Sequence, residues 1–75
     1  MSTELTDIEK ATVVDQHIKN LGYTLYNLNL SLREAQAVAI PNQDTVNSLN
    51  LQVSDVTAQI AVLEAELATL NIPTE

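Results

Sequence analysis

The 75-residue sequence contains no cysteine, one glycine, two prolines and only two aromatic residues, both tyrosine. The absence of cysteine excludes disulfides, and no set of histidines and carboxylates has the spacing of a metal site. At this length a single core rarely supplies more than ~3–5 kcal/mol without a disulfide or a metal. We therefore expect an aliphatic core, no cofactor and stabilisation by self-association.

Basic residues are also scarce. Three bases stand against ten acids, for a net charge of -7, and residues 34–75 contain no base at all. Three basic side chains cannot neutralise a run of phosphates. We therefore expect neither nucleic acid nor an anionic membrane surface as a partner. No apolar run is longer than four residues, the length of the run at 37–40, which is too short to span a membrane. The N-terminus resembles no secretory signal, so we expect a protein of the cytoplasm, or of a particle assembled there.

The sequence offers little for catalysis. His17 is the only histidine, and no serine or carboxylate lies three or four residues from it on a helix, so a solvated or edge-packed imidazole is expected. Glu64 and Glu66 are two residues apart and diverge on a helix, so they cannot share a substrate. Gly22 is the only glycine, which excludes a glycine-rich phosphate loop. We expect no enzyme and no catalytic, cofactor or metal residues, and small-molecule binding is not the favoured function.

The second half of the chain repeats aliphatic residues at steps of three and four, which predicts an amphipathic helix. The first half shows the same repeat, with alanines at positions 11, 35 and 39 in phase. Together the two repeats define the residues that we predict to form an intrachain seam. They are Val14, Ile18, Leu21, Leu25, Leu28 and Leu32 in the first half, and Val46, Leu49, Val53, Val56, Ile60, Leu63 and Leu67 in the second.

Local signals place the ends of these helices. Thr6 and Glu9 have the spacing of a capping box, Pro41 interrupts the backbone, and Asn42 or Asp44 can cap the next helix. Gly22 is typical of a helix C-cap, so a division of the first helix into two at this residue is an alternative. The heptad phase, however, continues through Gly22. Residues 26–32 alternate like a strand, but a lone strand would leave its backbone unsatisfied. The predicted division is a lead over 1–5, a helix over 6–39, a turn over 40–44, a helix over 45–71 and a tail over 72–75.

These elements predict an all-α fold: an antiparallel two-helix hairpin, similar to a coiled coil, that assembles into a helical bundle oligomer. Pairing Val14 with Leu67 and Leu21 with Ile60 places the midpoint of the hairpin at the proline turn. A rival structure is a parallel coiled coil of residues 43–71 from several chains, which valine and isoleucine at a positions and leucine at d positions favour. Lys19, level with the acidic pair at 64 and 66, favours the hairpin.

Both helices also carry apolar residues outside the seam, and a helix with two apolar faces is normally buried on both. We predict that these residues contact an oligomer partner or another protein, with a dimeric four-helix bundle as the simplest closed form. They are Tyr23, Tyr26, Leu30, Leu51, Ala58, Val62, Ala65 and Ile72.

Uncharged polar side chains dominate the surface: twelve asparagines and glutamines and twelve serines and threonines stand against thirteen charged residues. With Val, Leu and Ile in the seam, residues 46–70 resemble the helical segments of bacteriophage tail-fibre, whisker and small virion proteins. The resemblance implies a structural or assembly role in a phage particle. The alternative is a small acidic inhibitor or sponge that binds a host protein or a small signalling molecule in a pocket between subunits. Tyr23, Tyr26, Lys19 or Arg33 would line that pocket. An assembly chaperone is a third hypothesis.

Overall fold

Two long helices make up the structure, a computed structural model that describes residues 4–70. Helix α1 spans Asp7–Gln36 and helix α2 spans Gln43–Thr69. The two helices pack against each other within one chain, as the predicted hairpin requires. The all-α prediction is confirmed, and so is the intrachain hairpin.

The N-terminus of α1 is held by the capping box that Thr6 and Glu9 predict. The Thr6 side chain accepts a hydrogen bond from the backbone N–H of Glu9, and the Glu9 carboxylate accepts one from the backbone N–H of Thr6. The helix then continues without interruption through Gly22 and through residues 26–32. The alternative of a break at Gly22 and the alternative of a strand are therefore both wrong. The helical neighbours decide, because one glycine costs only about 1 kcal/mol in a helix.

The connection between the helices lies over residues 37–42, closer to the N-terminus than the sequence predicts. Helix α1 ends at Gln36 rather than at residue 39, and the backbone N–H of Ala37 closes the last turn on the carbonyl of Glu34 at 3.2 Å. Asn42 caps α2, its side chain accepting from the backbone N–H of Thr45 at 3.2 Å, so α2 begins at Gln43. Pro41 has no N–H to donate to the carbonyl of Ala37 and keeps Ile40 out of the α region, so α1 does not continue into the connection. The predicted tail over 72–75 lies outside the described residues.

The seam residues lie between the two helices. All those predicted from the heptad repeat are buried or half-buried, as are Ala11 and Ala35. Ala39 is exposed, because it falls in the connection rather than in α1. Only Ala11, Val46 and Val56 of the described residues count as buried core, with 9%, 6% and 8% of their surface exposed. One row of contacts between two helices cannot enclose a side chain completely.

Polar side chains on the outside bond mainly along their own helix. Gln16 donates to Asn20 at 3.1 Å and Gln43 to Asn47 at 2.9 Å, each pair one helical turn apart. Thr12 and Thr57 donate to the backbone carbonyl four residues before them. These bonds stabilise single helices, so the packing of α1 on α2 depends on the aliphatic seam.

The molecule is a thin rod of 60 × 24 × 18 Å with a radius of gyration of 17.3 Å. A compact fold of this length would have a radius of gyration of about 11 Å. Two helices side by side, each about 10–12 Å wide, account for the cross-section. Within residues 4–70, neither helix combines the length and the apolar character needed to cross a membrane.

Candidate functional site

A shallow groove of about 510 Å³ runs between the helices near the middle of the rod. From α1 it is lined by His17, Asn20 and Leu21, and from α2 by Ala58, Gln59, Val62 and Leu63. Residues 17–21 of α1 therefore lie level with residues 58–63 of α2. This is the level at which the heptad repeat pairs Leu21 with Ile60.

The groove has an apolar floor and polar sides. Leu21 and Leu63 are half-buried seam residues, whereas His17, Asn20 and Gln59 are exposed. His17 is the only titratable side chain of the lining, and Asn20 is already bonded to Gln16. No group of three or more histidines, cysteines or carboxylates within residues 4–70 is placed to hold a metal ion. The groove therefore provides a contact surface and one imidazole.

Sequence reasoning did not identify His17, Asn20 and Gln59 as lining residues, although a signal for them exists. Each immediately precedes a seam residue: His17 precedes Ile18, Asn20 precedes Leu21, and Gln59 precedes Ile60. At about 100° per residue, side chains that precede the seam lie on one side of an antiparallel pair in both helices. The same rule adds Val62, which precedes Leu63, to the groove lining, and its side chain is 67% exposed there.

A second surface consists of the two long outer edges of the hairpin. We define the α1 edge as Tyr23, Tyr26 and Leu30, and the α2 edge as Leu51, Ala58 and Ala65. Both tyrosines are more than 60% exposed, Leu51 is 67% exposed, both alanines are exposed and Leu30 is half-buried. Ile72, the remaining residue of the predicted partner surface, lies outside the described residues.

The edges lie opposite the seam. Tyr23 stands two residues from each of the seam residues Leu21 and Leu25, and Ala58 stands two residues from each of Val56 and Ile60. Two residues on a helix turn through about 200°, so Tyr23 and Ala58 point about 160° away from their seam neighbours. Leu30, Leu51 and Ala65 have the same relation to their own seam neighbours, whereas Tyr26, which directly follows Leu25, points about 100° away from it. The intrachain seam therefore cannot cover these side chains.

Other apolar side chains outside the seam are scattered. Ile8 is 57% exposed, Val13 48% and Val38 55%, while Ile40 in the connection is 89% exposed. They form no repeat at helical spacing, which is why the sequence did not assign them to a partner surface. Single exposed apolar residues of this kind are normal on a protein surface. In the edges, by contrast, apolar residues recur at steps of seven, at positions 23 and 30 of α1 and at positions 51, 58 and 65 of α2.

The hairpin thus offers two long apolar edges and one groove as surfaces for a partner. Comparison of the chain with protein-family models, with curated proteins and with solved structures finds no match. The edges span residues 23–30 of α1 and residues 51–65 of α2, whereas the groove is confined to residues 17–21 and 58–63. The edges are therefore the stronger candidate for a functional surface.

Proposed function

We propose that this chain is a non-enzymatic structural or assembly protein whose hairpins associate with one another and join a larger assembly. The observation that carries the proposal is the surface that one hairpin leaves exposed. Of residues 4–70, only Ala11, Val46 and Val56 are buried, so one hairpin leaves nearly all of its apolar side chains half-buried or exposed. A core this small rarely stabilises a chain of 75 residues on its own.

The character of the exposed surface supports the same proposal. Tyr23 and Tyr26 are 61% and 63% exposed, and Leu51 is 67% exposed, whereas no described side chain is fully buried. Tyrosine is enriched in protein–protein contacts because it combines a large apolar area with a hydroxyl group that can bond at the rim. Burying a leucine side chain is worth roughly 1.5–3 kcal/mol. Association of hairpins would therefore supply the stabilisation that a two-helix core lacks.

The proposed assembly is a phage particle, with the chain located in the host cytoplasm or in the virion. Support comes from the resemblance of residues 46–70 to helical segments of phage structural proteins, in which aliphatic seams lie among asparagine, glutamine, serine and threonine. The exposed hydrogen bonds Gln16–Asn20, Gln43–Asn47 and Gln52–Ser48 show how such side chains solvate a helix without charge.

Quantitative mass spectrometry of purified particles tests this role. A structural component is expected at a fixed copy number, and a variant with Tyr23→Ser and Leu51→Ser should be lost from the particle. The matched control is Asn27→Ser with Ser54→Ala, which changes exposed polar positions on the same helices. A chain that is present during assembly but missing from the finished particle would instead be an assembly chaperone.

A small-molecule sponge is the outcome that would replace this proposal. It requires Tyr23, Tyr26, Lys19 or Arg33 to line a cleft between subunits, and none of these four residues lines the groove of the single hairpin. Calorimetric titration with nucleotide second messengers distinguishes the two functions. Saturable binding that Tyr23→Ser abolishes without changing the oligomer would overturn the structural role.

A further inference from the structure

The two edges of the hairpin differ in size in a complementary way. The α1 edge consists of two tyrosines and a leucine, whereas the α2 edge contains two alanines, each followed three residues later by a further alanine of α2. Ala58, Ala61, Ala65 and Ala68 are all exposed. Bulky side chains on one helix pack closely against a row of small ones on another, because the small residues let the backbones approach.

The edges also match along the rod. The groove places residues 17–21 of α1 level with residues 58–63 of α2. In an antiparallel pair this register continues, so Tyr23 is level with Ala58 and Leu30 is level with Leu51. A second hairpin set beside the first without sliding would therefore bring its Ala58 to Tyr23 and its Leu51 to Leu30.

Charge selects between the ways of pairing the edges. Helix α1 contains all three bases of the chain, Lys10, Lys19 and Arg33, together with four acids, whereas α2 contains four acids and no base. Contact between two α2 helices would place acids against acids, which is unfavourable. Contact between two α1 helices would leave the α2 edge of each copy exposed. Contact of α1 with α2 of the next copy covers both edges of every copy and turns the more acidic helix towards the helix that contains the bases.

From these three matches we infer that hairpins associate side by side, with the α1 edge of one copy on the α2 edge of the next. We call this arrangement head to tail because each contact joins two different surfaces. The inference rests on the proposed self-association and specifies its geometry. Because the edges lie opposite the seam, the helices form a single-layer row rather than the two layers of a four-helix bundle. Such a contact is heterologous, so it repeats until the row closes as a ring or continues as a filament.

The absence of cysteine from the chain permits a direct experiment by disulfide cross-linking. Full-length Tyr23→Cys and Ala58→Cys chains are prepared separately, mixed and oxidised, and the products are identified by mass spectrometry. The inference predicts that the main product joins Tyr23→Cys to Ala58→Cys. Each chain carries a single cysteine, so any disulfide joins two copies. The bond requires Cβ atoms about 3.5–4.5 Å apart, so it reports which edges are in contact.

A second pair and a control complete the test. Leu30→Cys with Leu51→Cys should cross-link in the same way, which covers the case in which loss of Tyr23 weakens the contact. Tyr23→Cys with Leu51→Cys is the control and should react little, because Leu51 lies seven residues, about 10 Å along α2, from the level of Tyr23. Circular dichroism establishes that each variant is helical.

The outcomes separate this inference from the proposed function. If the wild-type chain is monomeric at every concentration, self-association itself fails. If it is oligomeric but the products are Tyr23→Cys with itself or Ala58→Cys with itself, the head-to-tail geometry is overturned while self-association stands. An oligomer in which neither mixed pair reacts above the control would overturn the geometry as well.

Discussion

The backbone N–H of Thr6 donates to the Glu9 carboxylate at 2.8 Å, and the Thr6 hydroxyl accepts from the backbone N–H of Glu9 at 3.1 Å. These reciprocal bonds satisfy two groups at the start of α1 that would otherwise have only water as a partner. The Thr6 carbonyl also accepts the first backbone hydrogen bond of the helix, from the backbone N–H of Lys10 at 2.9 Å. The capping box thus fixes where α1 begins.

Replacing Thr6 with alanine should therefore destabilise the protein by about 1 kcal/mol. In a chain of this size that corresponds to a decrease in Tm of about 4–8 °C, measured at fixed protein concentration. Thr12→Ala is the matched control, because Thr12 lies inside α1 and bonds only to the Ile8 carbonyl of its own helix. Alanine has the higher helix propensity, so the control should be neutral or slightly stabilising. Equal losses in the two variants would contradict a capping role for Thr6.

The same contact makes stability depend on pH. The hydrogen bond from the Thr6 backbone N–H, supported by the Thr6 side chain, lowers the pKa of Glu9 below its ordinary value of 4.5. The folded state therefore favours the ionised carboxylate, and this contribution is fully present above pH 4.5 and is lost as the pH falls through the lowered folded-state pKa. An NMR titration of the Glu9 side-chain carbonyl carbon should show the decrease directly.

Glu9→Gln gives a second check. The neutral side chain retains an acceptor for Thr6, so stability should lose the part of its acid dependence that belongs to Glu9. Glu34→Gln removes the same charge far from the capping box and serves as the control. A Glu9 pKa at or above 4.5 would contradict the bond as described.

Gly22 should be replaceable with a gain in stability. It lies within the continuous helix α1, and a Cβ atom added there would meet nothing within 4 Å. Because glycine costs about 0.5–1 kcal/mol relative to alanine in a helix, Gly22→Ala should raise the free energy of unfolding by that amount. Thermal denaturation followed by circular dichroism measures it. Destabilisation by alanine would show that another copy approaches the backbone at Gly22, or that α1 is interrupted there.

Two valines on α2 separate the seam from the outer surface. Val56 is 8% exposed and Val62 is 67% exposed. Val56→Ala removes two buried carbon atoms and should cost about 1.5 kcal/mol or more. Val62→Ala should change the stability of the hairpin by less than about 0.5 kcal/mol, as surface substitutions usually do. Urea denaturation of both variants at one concentration tests this, and a larger loss at Val62 would contradict the orientation of α2.

The parts of the structure that follow from sequence are those controlled by local chemistry and by periodicity. The heptad repeat predicts the side of each helix that faces the other, and Thr6 with Glu9 predicts the cap. The end of α1 is less determined, because alanines at 37 and 39 suit a helix while Pro41 already constrains the residue before it. Gly22 looks the same in sequence whether it ends a helix or lies inside one. At Gly22 the helical residues on both sides decide, because a single glycine costs only about 1 kcal/mol in a helix.

The surfaces available to a partner are predictable to a smaller extent. Spacing by seven identifies Tyr23 and Leu51, because the position opposite the seam is fixed by helix geometry alone. The position of His17 and Gln59 directly before seam residues indicates the side on which the groove lies, but its level along the rod depends on the register of the two helices. What contacts either surface depends on a second molecule, which periodicity within one chain does not specify.

The mass of the protein in solution tests the central claim most directly. Sedimentation equilibrium over a range of concentrations should give a mass that is a multiple of 8.2 kDa for the wild-type chain. The variant with Tyr23→Ser and Leu51→Ser should give a lower mass while remaining helical. A wild-type mass of 8.2 kDa at all concentrations would contradict self-association through the edges, as would a mass that the two substitutions leave unchanged.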